Sequence, residues 1–487
     1  MNLINSKMNY RIKKVLLSSV VLLMVFSSVF AKDKRPNILV ILCDDLGYSD
    51  VGFNGSKDIK TPNLDKLAHA GVIMSSGYVA HPFCGPSRTS IMTGKYSHVM
   101  GAQFNIPSNS EHTGYGIPLD NKFISKELQE AGYYTGAFGK WHLGADAPYH
   151  PNKRGFDEFF GFLGGGHRYF PDQYRPVYEF QKENGNKNIH DYLKPLEHNG
   201  KEVKETEYIT DAFTREAITF VEKSVKREQP FFMYLAYNAP HVPLEAKKED
   251  FKVFPEIKDD KRRTYAAMVY AVDRGVGALV ETLKKEHQFE NTLIVFLSDN
   301  GGKLGQGANN YPLKEGKGSA YEGGFRVPMF FHWPAKIKGN QVFEHPVSSI
   351  DFYPTFAALA KVKPSKRREL AGKEVLKPIM EGRNPHLNDM LYVLRHRTGL
   401  SDVGARYNNW KILRTSNTPW KLFYIKKDIS ETKDRSSEFP EILKSMVEKA
   451  EKWSKTNEEP KWFHSKEEGQ LWHNMNMPRF DETFSID

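Results

Sequence analysis

Asn37-Ile38-Leu39-Val40-Ile41-Leu42-Cys43, bounded by Pro36 and by Asp44-Asp45, is the stretch that decides the architecture. From Ile38 to Cys43 every residue is apolar. A strand with one wet face alternates apolar and polar residues, so an unbroken run predicts a strand covered on both faces, as in a parallel sheet.

Outward from this run the pattern repeats. Strand-like runs are expected at 134–138, 231–237, 293–297 and 327–333, and helical patterns lie between them at 125–131, 211–226 and 265–286. Thr61-Pro62 reads as a helix start and Gly71 as its end. Strands alternating with helices predict an α/β fold, a large, mostly parallel sheet sandwiched by helices. Beyond residue 361 the character changes. Lys363-Pro364-Ser365-Lys366-Arg367-Arg368 reads as an exposed connection, followed by short strands at 390–394, 410–414 and 420–425 and a helix at 441–453. We expect a main domain over 32–361 and a smaller C-terminal α+β domain over 362–487.

Composition narrows the function classes. Of 487 residues, 39% are hydrophobic and 13% aromatic, enough for a sizeable core, and the 37 Gly and 27 Pro show no fibrous period. Two cysteines cannot build a disulfide framework. The formal charge of +10 is small for this length and scattered, which does not point to a nucleic-acid partner.

At the N-terminus, Arg11, Lys13 and Lys14 precede an apolar run from Val15 to Phe30, with Val29 and Ala31 at the small-residue positions of a cleavage site. Residues 1–31 therefore read as a secretory signal peptide. The run is short for a membrane span. The expectation is an exported protein, periplasmic or secreted, without stable membrane insertion.

In parallel sheets, ligands bind beyond the carboxyl ends of the strands. Asp44-Asp45 follow the first strand, and Asp299-Asn300 follow the one near residue 295. Each pair alone is an ordinary turn. Together they offer three carboxylates and a carboxamide, hard oxygen ligands that suit Ca²⁺ or Mg²⁺ better than zinc. Two other strands lead into Gly139-Lys140-Trp141-His142 and Asn238-Ala239-Pro240-His241. Cys84-Gly85-Pro86-Ser87-Arg88 reads as a loop entering a helix whose N-terminus favours anions. Its thiol is either a nucleophile of lowered pKa or an inert buried cysteine.

Cys84-x-Pro86-Ser87-Arg88, with Thr93-Gly94 downstream, resembles the signature of the formylglycine-dependent sulfatases, within the alkaline phosphatase superfamily. Gly132-Tyr133-Tyr134-Thr135-Gly136-Ala137-Phe138-Gly139-Lys140-Trp141-His142 resembles that family's second signature. Phe83 and Phe138 depart from the smaller or aliphatic residues usual there. The resemblance runs from residue 36 to about 360 and implies that Cys84 is oxidised to formylglycine (3-oxoalanine) by a formylglycine-generating or sulfatase-maturating enzyme. It implies further that Asp44, Asp45, Asp299 and Asn300 hold Ca²⁺ in preference to Mg²⁺, with modified Cys84 completing the shell. Arg88 would orient the aldehyde hydrate. Lys140 and Lys317 would grip sulfate oxygens, Lys317 being chosen over Lys314 because it precedes Gly318. His142 would act as base on the nucleophile, and a protonated His241 would serve the leaving oxygen.

The expected activity is sulfuric ester hydrolysis on a sulfated oligo- or polysaccharide, an algal one such as ulvan or carrageenan or a glycosaminoglycan, by a bacterial enzyme. Two rivals stand beside it: a phosphodiesterase or phosphonate hydrolase using the same nucleophile, and a non-catalytic binder of sulfated glycans. Gly164-Gly165-Gly166-His167-Arg168-Tyr169-Phe170 mixes basic and aromatic residues as a sugar subsite would. His167, Arg168, Arg395 and His396 are accordingly expected at the substrate.

Overall fold

The computed structural model describes residues 35–362, 370–397, 400–415 and 418–474. The expected export signal at 1–31 and the basic connection at 363–368 lie outside the described residues.

The opening run forms β1 (Asn37–Cys43), completely buried. It is flanked in parallel by β8 (Phe231–Ala236) and β9 (Thr292–Ser298). Successive side chains point to opposite faces. Ile38, Val40 and Leu42 therefore enter one hydrophobic core, while Leu39, Ile41 and Cys43 enter another. Each fully buried aliphatic side chain of this kind contributes roughly 1.5–3 kcal/mol. A strand feeding two cores cannot spare a polar residue, which accounts for the unbroken apolar run.

The remaining strands are β2 (Val72–Met74), β3 (Gly77–Tyr78), β4 (Tyr134–Lys140), β5 (Glu158–Phe162), β6 (Glu197–His198), β7 (Lys201–Glu202), β10 (Met329–His332), β11 (Gln341–Phe343) and β12 (Val347–Ser348). The large sheet has the order β11-β2-β10-β9-β1-β8-β4-β5-β6-β7. Its centre, from β9 to β5, is parallel. At the edges β10 runs antiparallel to β9, and β6 antiparallel to β5. Helices Pro62–Ala70, Ile209–Lys226 and Asp260–Lys285 cover one face. Helices Cys84–Thr93, Ile124–Glu130 and Phe352–Leu359 cover the other. The Thr61 side chain caps no helix N–H; its hydroxyl donates to Asp65 Oδ1 and accepts from Gly52 N.

The C-terminal sheet is antiparallel, with β13 (Met390–Arg397), β14 (Leu400–Tyr407), β15 (Trp410–Arg414) and β16 (Lys421–Tyr424) in sequential order. β14 carries Asp402, Gly404 and Arg406 among apolar residues, so no apolar run announces it in the sequence. One face of this sheet (Met390, Leu394, Ala405, Ile412) packs on helix Pro440–Ser454. The other (Leu391, Val393, Leu413, Phe423) joins the core of the large sheet. Both sheets thus belong to one compact unit from Pro36 onward. Among the described residues no helix is long and apolar enough to cross a membrane.

Candidate active site

The sheet order explains why four separated motifs meet. β9, β1, β8 and β4 are consecutive neighbours, so their carboxyl ends deliver Asp299-Asn300, Asp44-Asp45, Asn238–His241 and Lys140–His142 to one edge. Backbone bonds lock these turns together. Asp299 N donates to Cys43 O (2.9 Å), Asp44 N to Ala239 O (3.2 Å) and Leu46 N to the Ser298 hydroxyl (3.0 Å). Asp45 and His142 take left-handed backbone angles, φ 65° and 61°. This conformation costs energy in a non-glycine residue and clusters at functional sites. Gly139, at φ 103°, must be glycine, because a Cβ would strike Ala236 O of the neighbouring strand.

Three cations face these acids. Arg88, fully buried one helical turn after Cys84, donates Nε to Asp299 Oδ2 (2.8 Å) and Nη1 to Lys140 O (2.9 Å). Its Nη2 makes no hydrogen bond and lies 3.8 Å from Asp44 Oδ2. Lys140 Nζ pairs with Asp44 Oδ2, and Lys317 Nζ pairs with Asp45 Oδ1 at 2.6 Å. Lys314 instead lies over the ring of Tyr321, 4.3 Å from its centroid. Cys84 opens its helix with the thiol buried, close enough to Asp44 and Asp299 for the three to share one ion.

The donor set fits a hard divalent cation. Asp44, Asp299 and Asn300 are fully buried, and Asp44 Oδ1 and Asn300 Oδ1 have no hydrogen-bond partner. Such orphaned acceptors are costly unless something electropositive meets them. Burial first, then the Asp44 charge, pushes the Asp299 carboxyl up to about 7 against the pull of Arg88. Burial would also raise Asp44, but Lys140, His241 and Arg88 hold it well below the usual carboxylate range. Three carboxylates against three fixed cations leave the pocket near neutral; a divalent ion would make it positive, as an anionic substrate requires.

The family model described as Sulfatase matches residues 36–362, and that described as N-sulphoglucosamine sulphohydrolase, C-terminal, matches residues 316–456. The chain belongs to the sulfatase family. It is 32% identical to mouse (Mus musculus) arylsulfatase J over 479 residues, 88% of this chain and 77% of that protein. It is also 32% identical to human (Homo sapiens) N-acetylgalactosamine-6-sulfatase over 360 residues, 72% of this chain and 66% of that one. Among solved structures, Ps i-CgsB in complex with k-i-k-neocarrahexaose superposes with a TM-score of 0.91 at 59% identity, covering 93% of this chain and 100% of its own. The protein is accordingly a sulfuric ester hydrolase.

The two histidines at the pocket of this sulfatase are held differently. His241 Nδ1 lies 2.7 Å from the Val242 carbonyl, which fixes a proton there and turns Nε2 toward Asp45 Oδ2, 3.8 Å away. Burial lowers its pKa to about 4, outweighing Asp44 and Asp45. His142 is lowered well below the usual imidazole range by burial and by Lys140, and its Nδ1 makes no hydrogen bond. Its Cε1 edge approaches Gly85, beside Cys84.

The four residues expected at the substrate lie in different surroundings. His167 is fully buried with its ring nitrogens 2.6 Å from the Arg168 and Lys194 carbonyls. His396 is buried against Phe104, His98 and Trp472, with Nδ1 2.7 Å from the Ser401 hydroxyl. Both rings are buried, where the expectation drawn from their basic, aromatic neighbourhoods had them at the substrate. Arg168 is partly exposed and forks onto Glu245. Arg395 bonds the Gly318 carbonyl and lies over the ring of Phe83, 4.6 Å from its centroid. It thus ties together the residue after Lys317 and the residue before Cys84.

Sequence reading missed Asn105. Its Oδ1 accepts from Gly85 N (2.9 Å) and lies 3.8 Å from Cys84 Sγ. The long separation and an unremarkable loop, Gln103-Phe104-Asn105-Ile106, gave no signal. The other cysteine, Cys43, is a core residue whose thiol is pushed far up by burial and by Asp299.

Proposed function

We propose that this sulfatase is an exported enzyme that removes sulfate from a sulfated galactan of the carrageenan type, with formylglycine at position 84 and Ca²⁺ as its cation. The observation that carries the substrate class is the 59% identity to Ps i-CgsB, a protein crystallised with a neocarrahexaose. The Sulfatase family match and the acidic cluster around Cys84 support the nucleophile and the ion.

Asp44, Asp45, Asp299 and Asn300 would hold the calcium ion, which would supply positive charge beside the sulfate oxygens. A formylglycine hydrate at position 84 supplies a hydroxyl nucleophile. The rest is done by the chain's own side chains. With the acids neutralised by a cation, Lys140 and Lys317 need no longer lean on Asp44 and Asp45, and their ammonium groups bind sulfate oxygens together with Arg88. Such charges, fixed in advance in a buried site, are usually the largest contribution to rate. His241, whose Nδ1 is committed to Val242, carries its transferable proton on Nε2. The negative charge of a bound sulfate ester raises its pKa, so proton and substrate arrive together and the proton goes to the departing sugar oxygen. His142, held neutral, accepts a proton from the nucleophile's side.

The test is sulfate release from defined carrageenan oligosaccharides, set beside ulvan and glycosaminoglycan oligosaccharides and a phosphate-ester counterpart. Preferential release from carrageenan is expected. Preference for another glycan overturns the substrate class, and preference for the phosphate ester overturns the reaction. Peptide mass mapping of active protein should find Cys84 converted and residues 1–31 removed.

A further inference from the structure

Tyr192 stands at the pocket without a task in the reaction described above. It lies in a short 3-10 turn, Asp191–Leu193, far in sequence from every motif. The turn is pinned on several sides. Asn109 N donates to Asp191 Oδ2 (2.8 Å), Lys194 Nζ donates to Asp191 Oδ1 (2.9 Å), Tyr192 N donates to His190 Nδ1 (3.2 Å) and Arg168 N donates to Tyr192 O (3.2 Å). The Tyr192 ring is braced edge-on by His190, with centroids 4.8 Å apart, and faces His241 at 6.4 Å. A side chain this well supported keeps its tip in one place.

That tip lies over the Gly165-Gly166 backbone. A Cβ on Gly166 would collide with the Tyr192 hydroxyl, and one on Gly165 would come within 2.9 Å of His142 Nε2. These two glycines therefore let Tyr192 and His142 approach the same short stretch from either side, with His241 beside the phenol. Burial, followed by the charges of Asp44, Cys84 and Asp45 against the opposing pull of Lys317, raises the phenol above its ordinary range, so it stays a neutral donor. Among the described residues its hydroxyl makes no hydrogen bond, although the rest of the residue is fully engaged. A rigid, partly buried donor with no protein acceptor, next to the histidine assigned to the leaving oxygen, is the arrangement of a group that waits for substrate.

We infer that Tyr192 is a specificity-determining residue that donates a hydrogen bond to the sugar unit carrying the sulfate, beside the oxygen served by His241. The inference rests on the sulfatase reading and adds the contact that separates a sugar sulfate from a simple aryl sulfate. An aryl sulfate offers no neighbouring hydroxyl or ring oxygen, so it gains nothing from the phenol.

The experiment compares kcat/KM for a defined sulfated carrageenan oligosaccharide and for 4-nitrophenyl sulfate in wild type, Tyr192→Phe and Gly166→Ala. Tyr192→Phe removes only the unpartnered oxygen, so folding is preserved. Gly166→Ala keeps the phenol but displaces it. Both should lower the oligosaccharide-to-aryl ratio of kcat/KM about tenfold, the value of one neutral hydrogen bond. A ratio unchanged in both variants, whether through equal losses or none, overturns the role of Tyr192. Failure of the parent reading looks different: wild type itself then releases no sulfate from either ester. If wild type prefers another sulfated oligosaccharide, the same ratio is measured on that one.

Discussion

Two buried charge clusters in this molecule differ in what completes them. The first gathers Asp44, Asp45, Asp299, Arg88, Lys140 and Lys317 at the carboxyl edge of the large sheet. The second sits where the two sheets meet. There Glu322 accepts from the Tyr78 hydroxyl (2.7 Å) and from Arg326 (3.1 Å), and Lys411 lies 3.2 Å from Glu322 and 2.7 Å from Glu431. Glu431 also accepts from Glu322 N (2.6 Å), and Arg406 reaches across to Tyr78. Lys411 and Arg406 come from the C-terminal sheet, Glu322, Arg326 and Tyr78 from the main body. Charges taken out of water need partners. In the second cluster the protein supplies them from both sides: Glu322 Oε1 and Glu431 Oε1 make no hydrogen bond, but each faces Lys411 Nζ as an ion pair, and the charges join the sheets. In the first, Asp44 Oδ1 and Asn300 Oδ1 are left over. Two sets of buried carboxylates and cations thus differ, and what tells them apart is the pair of acceptors left with neither a hydrogen bond nor a cation beside them.

The largest effects should come from the first cluster and should leave the fold alone. Cys84→Ala removes the proposed nucleophile, and we expect sulfate release to fall by at least about 10³-fold. Its thermal unfolding should shift by only a few degrees. Loss of folding together with activity would place Cys84 among the structural residues. Next comes removal of the cation. Exhaustive chelation should lower activity by at least about 10²-fold, and Ca²⁺ should restore it while raising Tm with concentration, because the ion binds only the folded chain. Chelation that unfolds the protein, or leaves its rate unchanged, would erase the contrast between the two clusters.

How far the sequence anticipates these clusters depends on where their residues fall. β1 and its neighbours are legible because a strand buried on both faces must be continuously apolar, and their ends are legible because parallel strands deliver ligands at one edge. Asp44, Asp299, Lys140 and His241 inherit that legibility. Asn105 and Tyr192 do not, since they sit on loops whose position is set by tertiary contacts alone. The burial of His167 and His396 is not legible for a related reason: a basic residue in an aromatic stretch reads alike whether its ring is exposed or packed inside. The second cluster is invisible in the sequence. Lys411 occupies an ordinary alternation in Trp410–Arg414, and only the register of β15 against β14 turns it inward.

Lys411→Met tests the second cluster from the other side. It leaves Glu322 and Glu431 facing each other without their shared cation, and Glu431, already raised to about 7 by burial and by Glu322, must stay protonated. Breaking a buried ion pair in this way costs about 3–5 kcal/mol. We expect a clear drop in Tm measured by calorimetry, with sulfate release at low temperature falling less than tenfold. The smaller effect on rate follows from the route to the pocket, which runs through backbone: Gly323 N donates to Lys314 O (3.0 Å), holding the loop that carries Lys317. A loss of rate as large as that of Cys84→Ala would mean that the two clusters act as one.

The smallest expected effect concerns a buried acid–histidine pair. Asp351 accepts from Ser348 N (2.8 Å) and Lys373 N (2.9 Å), and His386 Nε2 lies 2.9 Å from its Oδ2. Burial opposes the imidazolium, but the charge of Asp351 and the bond to it prevail, so His386 titrates above its ordinary value. The folded chain therefore holds this proton more tightly than the unfolded one. The stabilisation is complete below the unfolded pKa of about 6.5 and is lost as pH rises through the folded value. His386→Gln should be less stable than wild type by about 1–2 kcal/mol at pH 6. The difference in Tm should narrow steadily at alkaline pH, and a gap independent of pH would show that packing rather than charge holds His386 in place.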